Sequence, residues 1–207
     1  MNAHSPRSRK VIISIFIGLG IWLFILFWAL SWFQNSYVRG FTEHHPKFLQ
    51  AQYSEHWFKQ LIHHLPNKQA DARLIQFWQP DCLCNRFARP HAINAMGLTQ
   101  QLNYEHITLI PDSYQSQLKS LQSLNPNTQV IAIDPSILPI WPASPSVLIE
   151  DSKDQLMYFG PLGFGSFCNE ASTNIIEAQL KGIANGTSRP FYNQVGKGCF
   201  CQWHDSK

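Results

Sequence analysis

The chain has 207 residues, 44% of them hydrophobic and 14% charged, the balance of a globular rather than a disordered protein. Arg7, Arg9 and Lys10 account for the whole formal charge of +3, so everything after residue 10 is neutral and offers no electrostatic footprint for nucleic acid.

Hydrophobicity is concentrated at the start. Residues 11–33 carry no charge and suffice to cross a bilayer core of about 30 Å as a helix. The stretch exceeds the roughly 7–15 residues of a signal-peptide core, and no small-x-small cleavage site follows cleanly, so it reads as an uncleaved anchor. With basic residues before it and no acid, the positive-inside rule keeps residues 1–10 in the cytoplasm and exports the rest. This gives a single-pass inner-membrane protein whose C-terminal part faces the periplasm.

After a connector, residues 47–65 read as an amphipathic helix, with Phe48, Trp57, Phe58, Leu61 and Leu65 at helical spacing. His44, His45, His56, His63 and His64 make it a histidine-rich one. A strand follows at 72–78, then a helix at 82–102, a strand at 106–110 and a polar helix at 113–124. Residues 125–127, Asn-Pro-Asn, are a turn. A short apolar run at 129–133 precedes a loop carrying Pro135, Pro139, Pro142 and Pro145. Residues 146–150 and 155–159 flank a polar four-residue loop and form a hairpin. A last helix at 170–184 has Asn169 in front and Gly186 behind. The segments are thus 1–10, the anchor 11–33, a connector and helix 34–66, a main α/β domain 67–186, and an aperiodic tail 187–207.

Residues 74–82, LIQFWQPDC, and 144–161, SPSVLIEDSKDQLMYFGP, carry a resemblance to the thioredoxin-like superfamily, over about residues 72–186. The first is similar to the strand that delivers the thioredoxin nucleophile, with Phe77 and Trp78 ahead of Cys82. The second is similar to the segment from the family's cis-proline through its last hairpin. The resemblance implies a three-layer α/β/α sandwich behind the transmembrane helix. Cys82 and Cys84 become the catalytic pair, Cys82 attacking and Cys84 resolving, while Trp78, Ser144 and Pro145 seat an extended partner chain. The implied partners are exported protein thiols or disulfides, with no cofactor needed, which would make the chain a thiol–disulfide oxidoreductase. Two departures stand out: one residue, Leu83, separates the cysteines instead of two, and Gln76 occupies the place of a buried carboxylate.

The residues support this chemistry in their own right. A cysteine at a helix start is favoured as thiolate, the attacking species in exchange, and a second sulfur within reach resolves the mixed disulfide. Asp81 beside Cys82 opposes thiolate formation, whereas Arg86, Arg89 and His91 favour it. Other readings of Cys82 and Cys84 stay open: a structural pair, or a copper or zinc site completed by His91. A non-catalytic interaction domain is a further alternative.

Five cysteines are an odd number. Cys199 and Cys201 repeat the one-residue spacing of the first pair, and Cys168 stands before the last helix. Outside the cytoplasm, a bond from Cys168 to a tail cysteine would pin the tail, closing a loop of about 30 residues for roughly 3–4 kcal/mol. Alternatively, the tail reaches Cys82, passing electrons by exchange or completing a four-thiolate site, to which His204 is a further candidate ligand.

Overall fold

The structure, a computed structural model, describes residues 6–124, 126–165 and 171–203. The chain divides into two units, Met1–Ser36 and Tyr37–Lys207. The first is helix α1 (Pro6–Tyr37), whose segment Val11–Ser36 is long and apolar enough to cross a membrane. Its large side chains, among them Phe16, Phe24 and Phe27, point outward and stay exposed.

The second unit is built on a mixed six-stranded sheet in the order β4-β3-β2-β5-β6-β7. The strands are β2 (Arg73–Phe77), β3 (Glu105–Pro111), β4 (Gln129–Ile133), β5 (Ser146–Glu150), β6 (Leu156–Pro161) and β7 (Phe191–Tyr192). β2, β3 and β4 run parallel, β5 pairs antiparallel with both β2 and β6, and β7 runs parallel to β6. A three-residue strand β1 (Val38–Gly40) pairs antiparallel with β8 (Lys197–Cys199) in a separate two-stranded sheet.

Both faces of the central sheet are covered, which is why β2 is buried at all five positions rather than alternating with polar residues. Leu74, Val147, Ile149 and Tyr158 face α3 (Asn85–Gln101) and α5 (Ala171–Ala184). Ile75, Phe77, Leu148 and Phe159 face the other way, onto α2 (Ala51–Ile62), the proline loop and the tail. The period-2 alternation of a strand sorts the two sets.

The sequence-read elements differ from the structure in instructive places. The expected helix at 47–65 is a 3₁₀ turn, Pro46–Leu49, followed by α2. The polar helix at 113–124 is broken into a 3₁₀ stretch, Asp112–Gln117, and α4 (Leu118–Leu124), with the kink at Tyr114, whose buried ring pulls the turn toward the sheet. The largest departure is the tail. Residues 187–203 supply β7 and β8 and bury Phe200 and Trp203 in the α2-side core, so they share one unit with residues 37–186 instead of trailing from it. The cap assigned to Asn169 lies outside the described residues.

An ion pair is buried in this core. Arg73 and Glu150 are cross-strand partners on β2 and β5, 2% and 1% exposed, joined by Arg73 Nη2 to Oε2 at 2.7 Å and by Nε–H donation at 2.8 Å. Arg73 also donates to the Pro66 carbonyl at 2.7 Å, and Lys68 stands 3.4 Å from Glu150 Oε1 and 2.6 Å from Asp154. Burial pushes the Glu150 carboxyl up, against the opposing pull of Arg73 and Lys68. Removing one partner strands a charge in the interior. Arg73→Met is therefore expected to cost about 3–5 kcal/mol in denaturant unfolding, with most of it recovered in Arg73→Met/Glu150→Leu.

Candidate functional site

β2 ends at Phe77 and α3 begins at Asn85, so the intervening residues emerge at the C-terminal edge of the parallel strands. Residues 82–84 form a turn that leads into the helix: the N–H groups of Asn85, Arg86 and Phe87 donate to the carbonyls of Cys82, Leu83 and Cys84. Beside this turn, the Ser144–Pro145 peptide is cis. Ser144 is fully buried; its Oγ accepts from Gln79 N–H at 2.8 Å and donates to the Phe77 carbonyl at 3.2 Å, which ties the proline loop to the end of β2. The Cys82 sulfur lies 3.7 Å from the Ser144 carbonyl oxygen.

The cysteines pair across the chain rather than within each motif. Cys82 bonds Cys201 and Cys84 bonds Cys199, with Cα separations of 5.9 and 5.4 Å. This corrects the expected Cys82–Cys84 bond: the second cysteine pair runs antiparallel to the first, so each sulfur finds its partner on the other segment. It also corrects the expected staple, because Cys199 and Cys201 are both engaged elsewhere; Cys168 itself lies outside the described residues, as does His204. Cys84 and Cys199 are fully buried, Cys82 is 5% exposed, and Cys201 alone of the four is partly open to solvent.

A backbone bridge aligns this junction. Ser144 N–H donates to the Cys201 carbonyl and Cys201 N–H donates to the Ser144 carbonyl, both at 2.8 Å, an antiparallel pair beside the cis peptide. Two residues on, Trp203 stacks on Trp141 at 5.4 Å and meets Phe77 edge-on at 5.7 Å.

The sulfurs of Cys82, Cys84 and Cys201 lie within 4.8 Å of one another, and those of Cys84 and Cys201 are 4.0 Å apart. The metal set of Cys82, Cys84 and His91 is not what the structure assembles. His91 is no member of the sulfur group, standing seven residues and about 10 Å along the helix axis from Cys84. Both sulfurs of that set, moreover, are spent in disulfides.

Other residues take up new roles. Asp81 accepts a hydrogen bond from Tyr114 Oη at 2.9 Å, while Arg86 and Arg89 are exposed. Trp78 is half-buried at the end of β2. Gln76 accepts from His106 Nε2 at 3.2 Å, and His106 Nδ1 lies 3.4 Å from Thr99 Oγ1. His106 was missed in the sequence, where only its entry into an apolar strand could have marked it as buried.

The family follows from residues 50–203, which match the model described as domain of unknown function (DUF6436). The chain belongs to that family. The match spans both cysteine pairs and the tail, in keeping with a single structural unit from Cys82 to Cys201. No curated protein matches the sequence. Among solved structures, the chain is similar to a hypothetical protein from Sinorhizobium meliloti 1021, with 15% identity and a TM-score of 0.51 over 64% of this chain and 79% of that one. An uncharacterized conserved protein from Geobacillus kaustophilus aligns with 14% identity and a TM-score of 0.45 over 66% and 79%.

The two disulfides are nested, so their stabilising effects are unequal. Either one closes a loop of well over 100 residues, worth roughly 5 kcal/mol in the chain-entropy model; the second then closes only the small ring between the motifs, worth about 2 kcal/mol. Cys84→Ala/Cys199→Ala should lower unfolding free energy by about 2 kcal/mol, and alanine at all four positions by about 7, read by calorimetry or denaturant titration. Burial lowers the pKa of His106 to about 3, so it stays neutral when folded while the unfolded chain takes up a proton below about pH 6.5. Its contribution is complete above that pH and is lost as pH falls toward 3, by about 1.4 kcal/mol per unit at most. His106→Gln should flatten the stability profile between about pH 6 and pH 4.

Proposed function

We propose that this chain is a membrane-anchored, thioredoxin-like protein of the periplasmic face of the inner membrane that exchanges disulfides with exported protein thiols. One observation carries the reading: Cys82 is disulfide-bonded to a segment that also pairs its backbone, in both directions, with the residue before the cis-proline. The segment that carries Cys201 thus holds the place beside Ser144 that the resemblance assigns to a partner chain. The strand order, with β2 between a parallel and an antiparallel neighbour, agrees with the resemblance noted in the sequence.

The exchange balances as two successive displacements. A partner thiolate attacks the accessible Cys201 sulfur; a partner–Cys201 disulfide forms, the Cys82–Cys201 bond breaks, and Cys82 leaves as thiolate. The partner's second thiolate then attacks its own sulfur in that mixed disulfide and expels Cys201. Two electrons pass from the partner dithiol to Cys82 and Cys201, and the two protons the partner gave up are taken by those sulfurs. The reverse sequence reduces a partner disulfide. Cys201 thiolate, 4.0 Å from Cys84, is placed to attack the Cys84–Cys199 bond in turn: a Cys84–Cys201 bond forms and Cys199 leaves as thiolate, then Cys82 thiolate attacks Cys201, re-forms the outer bond and expels Cys84, so the two electrons end on the inner pair.

The test uses two variants of the full chain and reduced ribonuclease A as partner. Cys84→Ala/Cys199→Ala keeps only the outer bond, and Cys82→Ala/Cys201→Ala only the inner one. The outer-bond variant should oxidise ribonuclease thiols at least about tenfold faster, since thiolate access governs exchange. Equal rates, or no oxidation by the outer-bond variant, would reduce both bonds to clamps.

A further inference from the structure

On the face of the sheet that carries α3, the crevice between α3 and α4 holds a cavity of about 570 Å³, within the usual range for small-molecule sites. Its floor is a single row across three strands: Gln76, Thr108 and Val130 are successive cross-strand partners on β2, β3 and β4. Ile93 and Met96 of α3 face Leu121 and Leu124 of α4 across it, with Trp78 at the end of β2. None of the four cysteines lines it, so the cavity is separate from the sulfur site.

Three polar features give it a chemical preference. Arg86 and Arg89, three residues apart on the first turns of α3, both line the cavity, and no acid does. Neither makes an ion pair or side-chain hydrogen bond among the described residues. Asn85 is 7% exposed; its Nδ2 donates to the Gln79 carbonyl at 2.7 Å, while its Oδ1 has no protein partner. A buried acceptor left open costs free energy until a donor reaches it. Finally, the Gln76 oxygen is taken by His106, leaving that amide with N–H donors toward a ligand.

We propose that this cavity binds a small amphipathic organic acid: a carboxylate on Arg86 and Arg89, an apolar body along Trp78, Ile93 and Met96, and a hydroxyl donating to Asn85 Oδ1. Guanidinium forks suit carboxylates because two parallel N–H groups meet two oxygens. A body of about 10–20 non-hydrogen atoms fits a cavity of this size.

A matched set of probes separates the contributions by equilibrium dialysis against the full chain in detergent, with protein-free micelles as blank. 3-(4-Hydroxyphenyl)propionate carries all three groups, 4-propylphenol lacks the carboxylate, and 3-phenylpropionate lacks the hydroxyl. The first should bind saturably below about 1 mM, the second at least tenfold more weakly and the third several-fold more weakly. Arg86→Gln/Arg89→Gln should lose at least about tenfold. Gly97→Leu should abolish binding while leaving the fold intact, since Gly97 lines the cavity, a Cβ there meets nothing within 4 Å, and leucine favours the helix. Saturable binding absent above roughly 1 mM, equal binding of 4-propylphenol, or unchanged affinity in the double arginine variant would overturn the assignment. These outcomes are independent of ribonuclease oxidation, so failure of one reading leaves the other standing.

Discussion

The crossed pairing of two Cys-x-Cys motifs is the constraint on which the rest of this structure depends. A single bond would hold the tail at one point and let it swivel. Two bonds from alternate residues, with the backbone bridge between Ser144 and Cys201, fix its direction as well. Fixed this way, Phe200 and Trp203 can enter the core beside Phe77 and Trp141. The approach is close enough that glycine is required: a Cβ at Gly198 would lie 2.8 Å from the Phe200 ring, and one at Gly196 2.7 Å from that of Phe164. Gly196 and Gly198 of the aperiodic tail are there for contact.

What could be read from the sequence was what is encoded locally. The run at 129–133 is β4, and the polar loop between 150 and 155 marks the β5–β6 hairpin, because burial period and turn chemistry are written within a few residues. The long apolar helix over 11–33 is legible for the same reason. The tail was not: β8 is three residues long and is held by β1, more than 150 positions away, so no window of neighbours contains its cause. Disulfide connectivity is likewise non-local. Cys82 and Cys84 invited pairing with each other through proximity in the chain, yet the competing partners arrive from residues 199 and 201. At the candidate site, the cis peptide and the position of Cys82 were readable through family resemblance, whereas the role of Cys201 and the burial of His106 needed the third dimension.

Polar groups in the interior follow a division of labour. Arg73 and Lys68 both pair with Glu150, joining the segment between α2 and β2 to β2 and β5 at a real desolvation cost. At the opposite end of β2, polar groups are left open instead: Asn85 Oδ1 lacks a partner, and Arg86 and Arg89 face a cavity without an acid. A closed network carries its desolvation cost internally, whereas an open one leaves a buried acceptor without its donor. The same helix start therefore carries a buried disulfide sulfur at Cys84 and open hydrogen-bonding groups on the next residues along.

The covalent ring running from Cys82 to Cys201 has one more effect, on survival among proteases. Its backbone includes exposed loop residues at 126–127 and 152–154. A nick in either would open one strand of the ring but release nothing, since both pieces stay linked through sulfur. Clipped molecules would keep their mass until a reductant arrived, and the redox state of the compartment would thus decide whether damage becomes loss.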